Sequence, residues 1–363
     1  VKRFGALAAA SVLLALTGCS KDYPNPFEGQ ISTNPPTADA ALIFTGNGWS
    51  ETSGQGREAF SANPAGSNLT RLTFCNDSSQ VCDTAEAMLA PDHRRAILRV
   101  LDTDTNADGV LSPEDGYALV YVDLDRQAQA TLVEASQQVT GMDWSPVQDL
   151  VVYSAQGIGG EDLFRTTPIR PTPDNQQDTR NLSCVIDPTT GAPGACDDRI
   201  RDRRPRIDPS GSFLCFERIG VDGKGQIWVF QNVATMFGVT TGGPGSEALT
   251  GTPYVVGSDA DPDFSPDNSS IVFRRLKATG NGGRGTWDIM AVNSDGTNLR
   301  TIATGPAWRS APDWSTDGSI AFAESDVATG TPTLVQVDAD GSNRRTLVSL
   351  AAGFRLDFPR WLP

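Results

Sequence analysis

The sequence predicts an all-β protein, a six-bladed β-propeller built of four-stranded antiparallel blades. Three observations predict it: a proline-aromatic motif that recurs six times, a β-branched strand pattern after each copy, and a spare strand at the carboxyl end. Four copies are clear: Met142-Asp143-Trp144-Ser145-Pro146, Pro205-Arg206-Ile207-Asp208-Pro209, Pro262-Asp263-Phe264-Ser265-Pro266 and Pro312-Asp313-Trp314-Ser315-Thr316. Two are degenerate, Met88-Leu89-Ala90-Pro91-Asp92-His93 and Phe358-Pro359-Arg360-Trp361-Leu362-Pro363.

Each of the first five copies leads through a polar turn into a short apolar run: Ala96 to Leu98, Leu150 to Tyr153, Phe213 to Phe216, Ile271 to Phe273 and Ile320 to Phe322. Further on, Ile289 to Val292 and Leu334 to Val337 precede Asn293-Ser294-Asp295-Gly296-Thr297-Asn298 and Asp338-Ala339-Asp340-Gly341-Ser342-Asn343. The Asp-Gly pairs supply the positive φ that a tight hairpin needs. Four antiparallel strands repeating at roughly 45 to 65 residues is the pattern of a propeller blade with variable loops.

The ends of the chain set the blade count. The copy at Phe358 to Trp361 has no room for three more strands, whereas Ala41 to Phe44, Arg57 to Phe60 and Leu69 to Leu72 are three strands lacking a first. Pairing the carboxyl strand with this amino-terminal set closes the ring without an unpaired edge. An open solenoid would leave two incomplete terminal blades.

The Pro-x-aromatic-Ser-Pro-Asp-Gly phrase, followed by an Ile-x-Phe strand and an Asp-x-Asp-Gly-Ser-Asn turn, resembles the TolB-like propeller repeat family. Residues 262 to 302 and 312 to 347 come closest to its pattern. The resemblance implies six blades around a central channel and a docking role in the bacterial envelope. This chain differs in having no separate domain before its repeats, so the family's own partners do not carry over.

The amino end predicts export. Lys2 and Arg3 precede an apolar run from Phe4 to Leu16, the layout of a secretory signal over residues 1 to 18. Leu16-Thr17-Gly18-Cys19 resembles a lipobox, which makes Cys19 the expected lipidation site. Residues 19 to 40, with Pro24, Pro26, Pro35 and Pro36, read as a tether, and 41 to 363 as the propeller. The expected location is the cell envelope, lipid-anchored, with the outer membrane favoured by Ser20 after the cysteine. Without residues 1 to 18 the chain keeps 27 basic against 44 acidic residues, a net charge of −17. Such a field repels nucleic acid.

Cysteine spacing fits an oxidising compartment. Cys75 with Cys82, and Cys184 with Cys196, each bracket a short polar loop and are candidate disulfides, although four cysteines allow three pairings. Cys215 lies in the apolar run Phe213 to Phe216 and reads as a buried free thiol.

Between Ile97-Leu98-Arg99-Val100 and Ala118-Leu119-Val120-Tyr121 stands a twelve-residue loop that resembles the calcium loop of EF-hands and dockerins. Asp104, Asn106 and Asp108 occupy its first, third and fifth positions and Gly109 its sixth. Val110 would offer a carbonyl, Ser112 a direct or water-mediated ligand, and Asp115 the closing carboxylate. The expected cofactor is therefore structural calcium. Asp115 in place of glutamate, and strands in place of flanking helices, are departures from the EF-hand pattern.

Catalysis has few candidates. His93 is the single histidine and falls in a turn, and no G-x-S-x-G, P-loop or H-E-x-x-H motif occurs. The expected function is a non-catalytic module for an envelope protein or glycan. A carbohydrate-binding or carbohydrate-cleaving propeller using paired carboxylates is the alternative. Asp143, Asp263 and Asp313 read as turn residues that could also line the channel. Residues 165 to 204, long, proline-rich and charged, read as an insertion suited to recognition.

Overall fold

The computed structural model describes residues 36, 40–46, 56–73, 82–126, 128–157, 160–168, 179–183, 199–230, 247–248, 258–278 and 285–362. Their strands form six four-stranded antiparallel sheets. These are the six predicted blades. The innermost strands, in ring order, are Leu356–Trp361, Asp83–Leu89, Gly141–Trp144, Arg201–Ile207, Asp259–Phe264 and Ala307–Trp314, and we number the blades one to six in that order. Each inner strand lies beside the next around the axis, and the strands of blades one and six also touch.

Ring closure follows the expectation. Leu356–Trp361 pairs with Leu42–Gly46, placing Leu42 opposite Trp361 and Gly46 opposite Leu356. Leu42–Gly46 in turn pairs with Glu58–Ala62, and that strand with Thr70–Arg71. Blade one is thus shared between the two ends of the chain, which removes both open edges at once.

The core is not one cluster but a stack of layers, each sandwiched between two neighbouring blades. Phe216 packs in the layer between blades three and four, Phe264 and Phe273 between four and five, Phe322 between five and six, and Phe44 with Phe60 between six and one. These phenylalanines are the aromatic positions of the strand pattern, and all are buried. Cys215 is free and fully buried among them, and burial raises its thiol pKa well above normal. At the hairpins the predicted glycines do adopt positive φ. Gly341 has φ of 85°, and a Cβ there would stand 2.3 Å from the Ile302 carbonyl of the neighbouring blade.

One reading needs correction. Residues 165 to 204 are not a single insertion: Arg165 lies within strand Gly160–Thr166 of blade three, Arg180–Asn181 is that blade's fourth strand, and Arg201 onward forms the inner strand of blade four. Alternation across that strand buries Asp202, which accepts from Arg218 and from the Ser183 hydroxyl, and leaves Arg201 exposed. Residues 201 to 204 are the first part of the strand that the motif at Pro205 continues, and the strand carries charge on five of its seven side chains. Cys19 and the other residues of the signal and lipobox lie outside the described residues, as do Cys75, Cys184 and Cys196; Cys82 is buried at the edge of blade two. No helix among the described residues is long and apolar enough to cross a membrane.

Candidate functional site in the axial channel

The inner strands carry a bulge where the channel is lined. Pairing with the second strand shifts between Arg203 and Arg206, Ala260 and Asp263, and Ser310 and Asp313, and on the second strand of blade one between Ile43 and Thr45. At each bulge the residue before the motif proline takes a left-handed φ: Arg204 (53°), Asp261 (50°), Ala311 (45°) and Phe358 (47°). Proline fits there because the inner strand's axial edge has no partner strand to receive an N–H. The bulge bends the strand there, and the positions on either side of the motif proline, such as Arg204 and Arg206, both reach Glu86 at the axis.

One of these positions forms a ring of Met88, Asp143, Arg206, Asp263, Asp313 and Arg360. Its acids bind the next blade. Asp143 accepts from the Ile207 N–H at 2.6 Å, Asp263 from Trp314 at 2.7 Å, and Asp313 from Trp361 at 2.6 Å. Met88 does the same with sulfur, its Sδ lying 3.2 Å from the Trp144 nitrogen. Arginine has no acceptor atom, so Arg206 and Arg360 cannot continue the pattern. They neutralise it instead: Arg360 pairs with Asp313 at 2.8 Å, and Arg206 stands between Asp143 and Asp263 in the ring. The aspartates therefore do line the channel, but their bonds join blades rather than shape turns. The motif serine makes the turn, as Ser315 Oγ accepts from the Ser319 N–H and Ser265 Oγ from the Ser270 N–H.

The other position supplies the hub. Glu86, fully buried, meets Arg360 at 2.8 Å, Arg204 at 3.1 Å, Arg206 at 3.2 Å and Arg99 at 3.4 Å. One carboxylate thus faces four guanidinium groups from blades one, two and four. Sequence reading missed Glu86, Arg204, Arg206 and Arg360. The signal was present, because Arg206 and Arg360 occupy the aspartate position of the repeat and Glu86 aligns with Arg204 and Asp261.

Burial pushes the Asp143 and Asp263 carboxyls up to about 7, against the pull of Arg206 and of the N–H groups they accept from. Burial, then repulsion from Asp263, raises Asp313 too. Burial alone would raise Asp261, but Arg274 at 2.8 Å and Arg204 at 3.5 Å hold it below the usual range.

The channel has two unlike ends. At the motif end, a cavity of about 140 Å³ is rimmed by Trp144, Phe264, Trp314, Trp361 and the prolines Pro146 and Pro209, over a floor of ring carboxylates and Arg360. Trp314 and Trp361 are half-buried. At the far end Arg99, Arg203, Arg204 and Arg274 line a second cavity, of about 290 Å³.

The 104–115 loop joins the second and third strands of blade two. Its hydrogen bonds are its own. Asp104 accepts from Gly109 N–H at 2.8 Å, Asp108 from Val110 at 2.7 Å, and Asp115 from Thr105, Asn106 and Ser112 at 3.0, 3.2 and 2.8 Å. Ser112 and Asp115 form a reciprocal cap on the short helix Pro113–Asp115. Among the described residues no three acidic, histidine or cysteine side chains converge as a metal group. His93 sits in its turn with φ of 54°, its N–H bonded to the Ala90 carbonyl, away from the axial carboxylates.

These features define a six-bladed propeller with a charged, self-paired axis. In fold it is similar to TolB from Acinetobacter baumannii (TM-score 0.61, 13% identity, 89% of this chain and 67% of that one). It is also similar to a putative TolB from Agrobacterium tumefaciens (0.54, 15%, 89% and 98%). A prolyl endopeptidase matches at 0.50 and 10% identity, over 86% of this chain and 44% of its own. No protein-family model matches the sequence, and no curated protein does. At such identities the likeness is one of fold, and it includes an enzyme.

Two predictions follow from the axis. Glu86→Gln leaves the four arginines facing a neutral group, and equilibrium denaturation should show a loss of about 3–5 kcal/mol, the cost of breaking a buried charge pair; an unchanged midpoint would mean the hub is not structural. The ring acids carry the opposite sign. Asp143 and Asp263 titrate near 7 when folded and near 3.8 when unfolded, so the folded chain holds more protons between those values. Their contribution to stability is therefore full at low pH and is lost as pH rises through about 7. Asp263→Asn keeps an acceptor for Trp314, and its melting temperature should fall less than that of the unmodified chain across this window.

Proposed function

We propose that this chain is a non-catalytic docking module of the cell envelope, anchored through Cys19, which binds a protein partner at the motif end of its channel. The observation that carries this reading is the commitment of the axial carboxylates. Asp143, Asp263 and Asp313 hold neighbouring blades, and Glu86 holds four arginines, so these four axial acids are already engaged and are not free as a glycoside hydrolase's carboxylate pair. What the motif end offers is an apolar rim. Aromatic side chains fixed at the ends of four inner strands favour partner binding, because little conformational entropy is lost when they are covered.

The test is capture from solubilised envelopes, with the chain from Ser20 onward as bait beside a Trp314→Ala, Trp361→Ala double variant of equal melting temperature. A discrete protein retained by the first and lost by the second supports docking at this rim. Capture that ignores the rim substitutions overturns it. So does a glycan-cleaving activity abolished by replacing one carboxylate in a folded variant, which would restore the carbohydrate reading.

We further propose structural calcium at 104–115. In its favour are oxygen side chains at alternate loop positions and Gly109 at φ of 83°. Coordination would require Asp104, Asp108 and Asp115 to turn from loop amides to the cation. Added calcium should raise the melting temperature by about 3 °C or more. An Asp104→Ala, Asp108→Ala variant should show no rise; equal melting of the unmodified chain with calcium and with chelator would refute the proposal.

A further inference from the structure

The arginine end of the channel lies away from the docking rim and calls for a separate account. The cavity of about 290 Å³ is lined by Arg99, Arg203, Arg204 and Arg274 with Tyr117 and Glu217, in a chain whose formal net charge is −15. Four guanidinium groups on one small cavity, in so acidic a protein, need counter-charge from somewhere.

The protein supplies it unevenly. Arg203 is bonded to Glu161, and Arg274 is paired with Asp261 at 2.8 Å and lies 4.2 Å from the Trp287 ring centre. Arg204 reaches Glu86 and, more loosely, Asp261 at 3.5 Å. Arg99 is the least satisfied. Its side chain is only 7% exposed, and among the described residues its one ion pair is the 3.4 Å approach to Glu86 and its buried Nε has no hydrogen-bond partner. It is held between the rings of Tyr117 at 4.7 Å and Phe358 at 5.6 Å. Glu86 cannot do more for it, since Arg204, Arg206 and Arg360 lie closer to the same carboxylate. Burial and the neighbouring Arg204 pull the Arg99 guanidinium down to about 10. It is a buried cation whose fork of donors is largely unused, at the wall of a cavity.

Glu217 completes the chemistry. It is buried, and among the described residues it makes no hydrogen bond; burial, then repulsion from Asp261, lifts it to about 7. In its protonated form it becomes a donor. A carboxylate entering the cavity would meet guanidinium donors on one side and a carboxylic acid O–H on the other. Phosphate fits less well, because both of its charges sit on one centre and the second would face Asp261 and Glu217, whereas a dicarboxylate can leave its second group outside the cavity.

We propose that this end of the channel binds a small carboxylate-bearing molecule, with Arg99 and Arg204 as its principal partners. The proposal does not rest on the docking reading, which concerns the opposite mouth and different residues.

Isothermal titration at low ionic strength tests it, using succinate as the probe, inorganic phosphate as the competing oxyanion and neutral succinamide as the control. The expected result is saturable binding of succinate with one site per chain, no binding of succinamide, and at least a tenfold loss of affinity in Arg99→Met. Arg203→Ala, at the more exposed rim, gives a second variant should Arg99→Met fail to fold, and should weaken binding several-fold. Absence of saturable heat with succinate overturns the proposal, as does unchanged affinity in the folded variants. Binding of phosphate in preference to succinate overturns the assignment to carboxylates.

Discussion

A propeller must bring six strand edges together at one axis, and in this protein they arrive carrying charge. Glu86 resolves that constraint. A buried arginine without a counter-ion is costly, and Arg360 from the neighbouring blade one and Arg204 and Arg206 from blade four all converge on this one carboxylate of blade two. The hub therefore acts as a tie between distant parts of the sequence: residues 86 and 360 bridge the ring at the junction where its two chain ends meet. Hydrophobic layers join each blade to its neighbour, but only the axial network joins blades that do not touch.

The ring of aspartates shows how a repeat becomes an interface. An aspartate at one motif position accepts the N–H of the residue that follows that position in the next blade, Ile207, Trp314 or Trp361, so the same side chain closes one blade against the next three times around the ring. Repeating it six times would gather six carboxylates in one buried space. Arginine at two positions and methionine at a third relieve that repulsion, and Met88 keeps the bond by offering sulfur to the Trp144 N–H. The elevated pKa values of the remaining acids come first from burial and then from a repulsion only partly relieved.

Much of this was legible in the sequence. Blade number, ring closure and the burial of Cys215 follow from strand periodicity and from the spare copy at Phe358 to Trp361, because a period-two pattern reports which face of each strand is buried. The axis was less legible, since its contacts join positions far apart in the chain: Glu86 and Arg360 are 274 residues apart. The segment from 201 to 204 misled for a related reason. Its side chains alternate between solvent and a polar channel rather than between solvent and an apolar core, so charge appears on both faces and the strand signal vanishes.

The two ends of the channel differ because the two inward positions of the bulged strand are filled by different chemistry. The position next to the motif aromatic carries three acids that serve neighbouring blades, two arginines and a methionine, and above it the aromatic and proline residues form a largely apolar rim. The position before the motif proline carries Glu86, Arg204 and Asp261, and beyond it Arg99 and Arg274 come from second strands of their blades. An apolar rim favours association with another macromolecule, whereas a small cavity walled by incompletely paired guanidinium groups favours a compact anion. Because Arg204 contributes to both the Glu86 hub and the cavity wall, charge introduced at the arginine end acts directly on the network that ties the blades together.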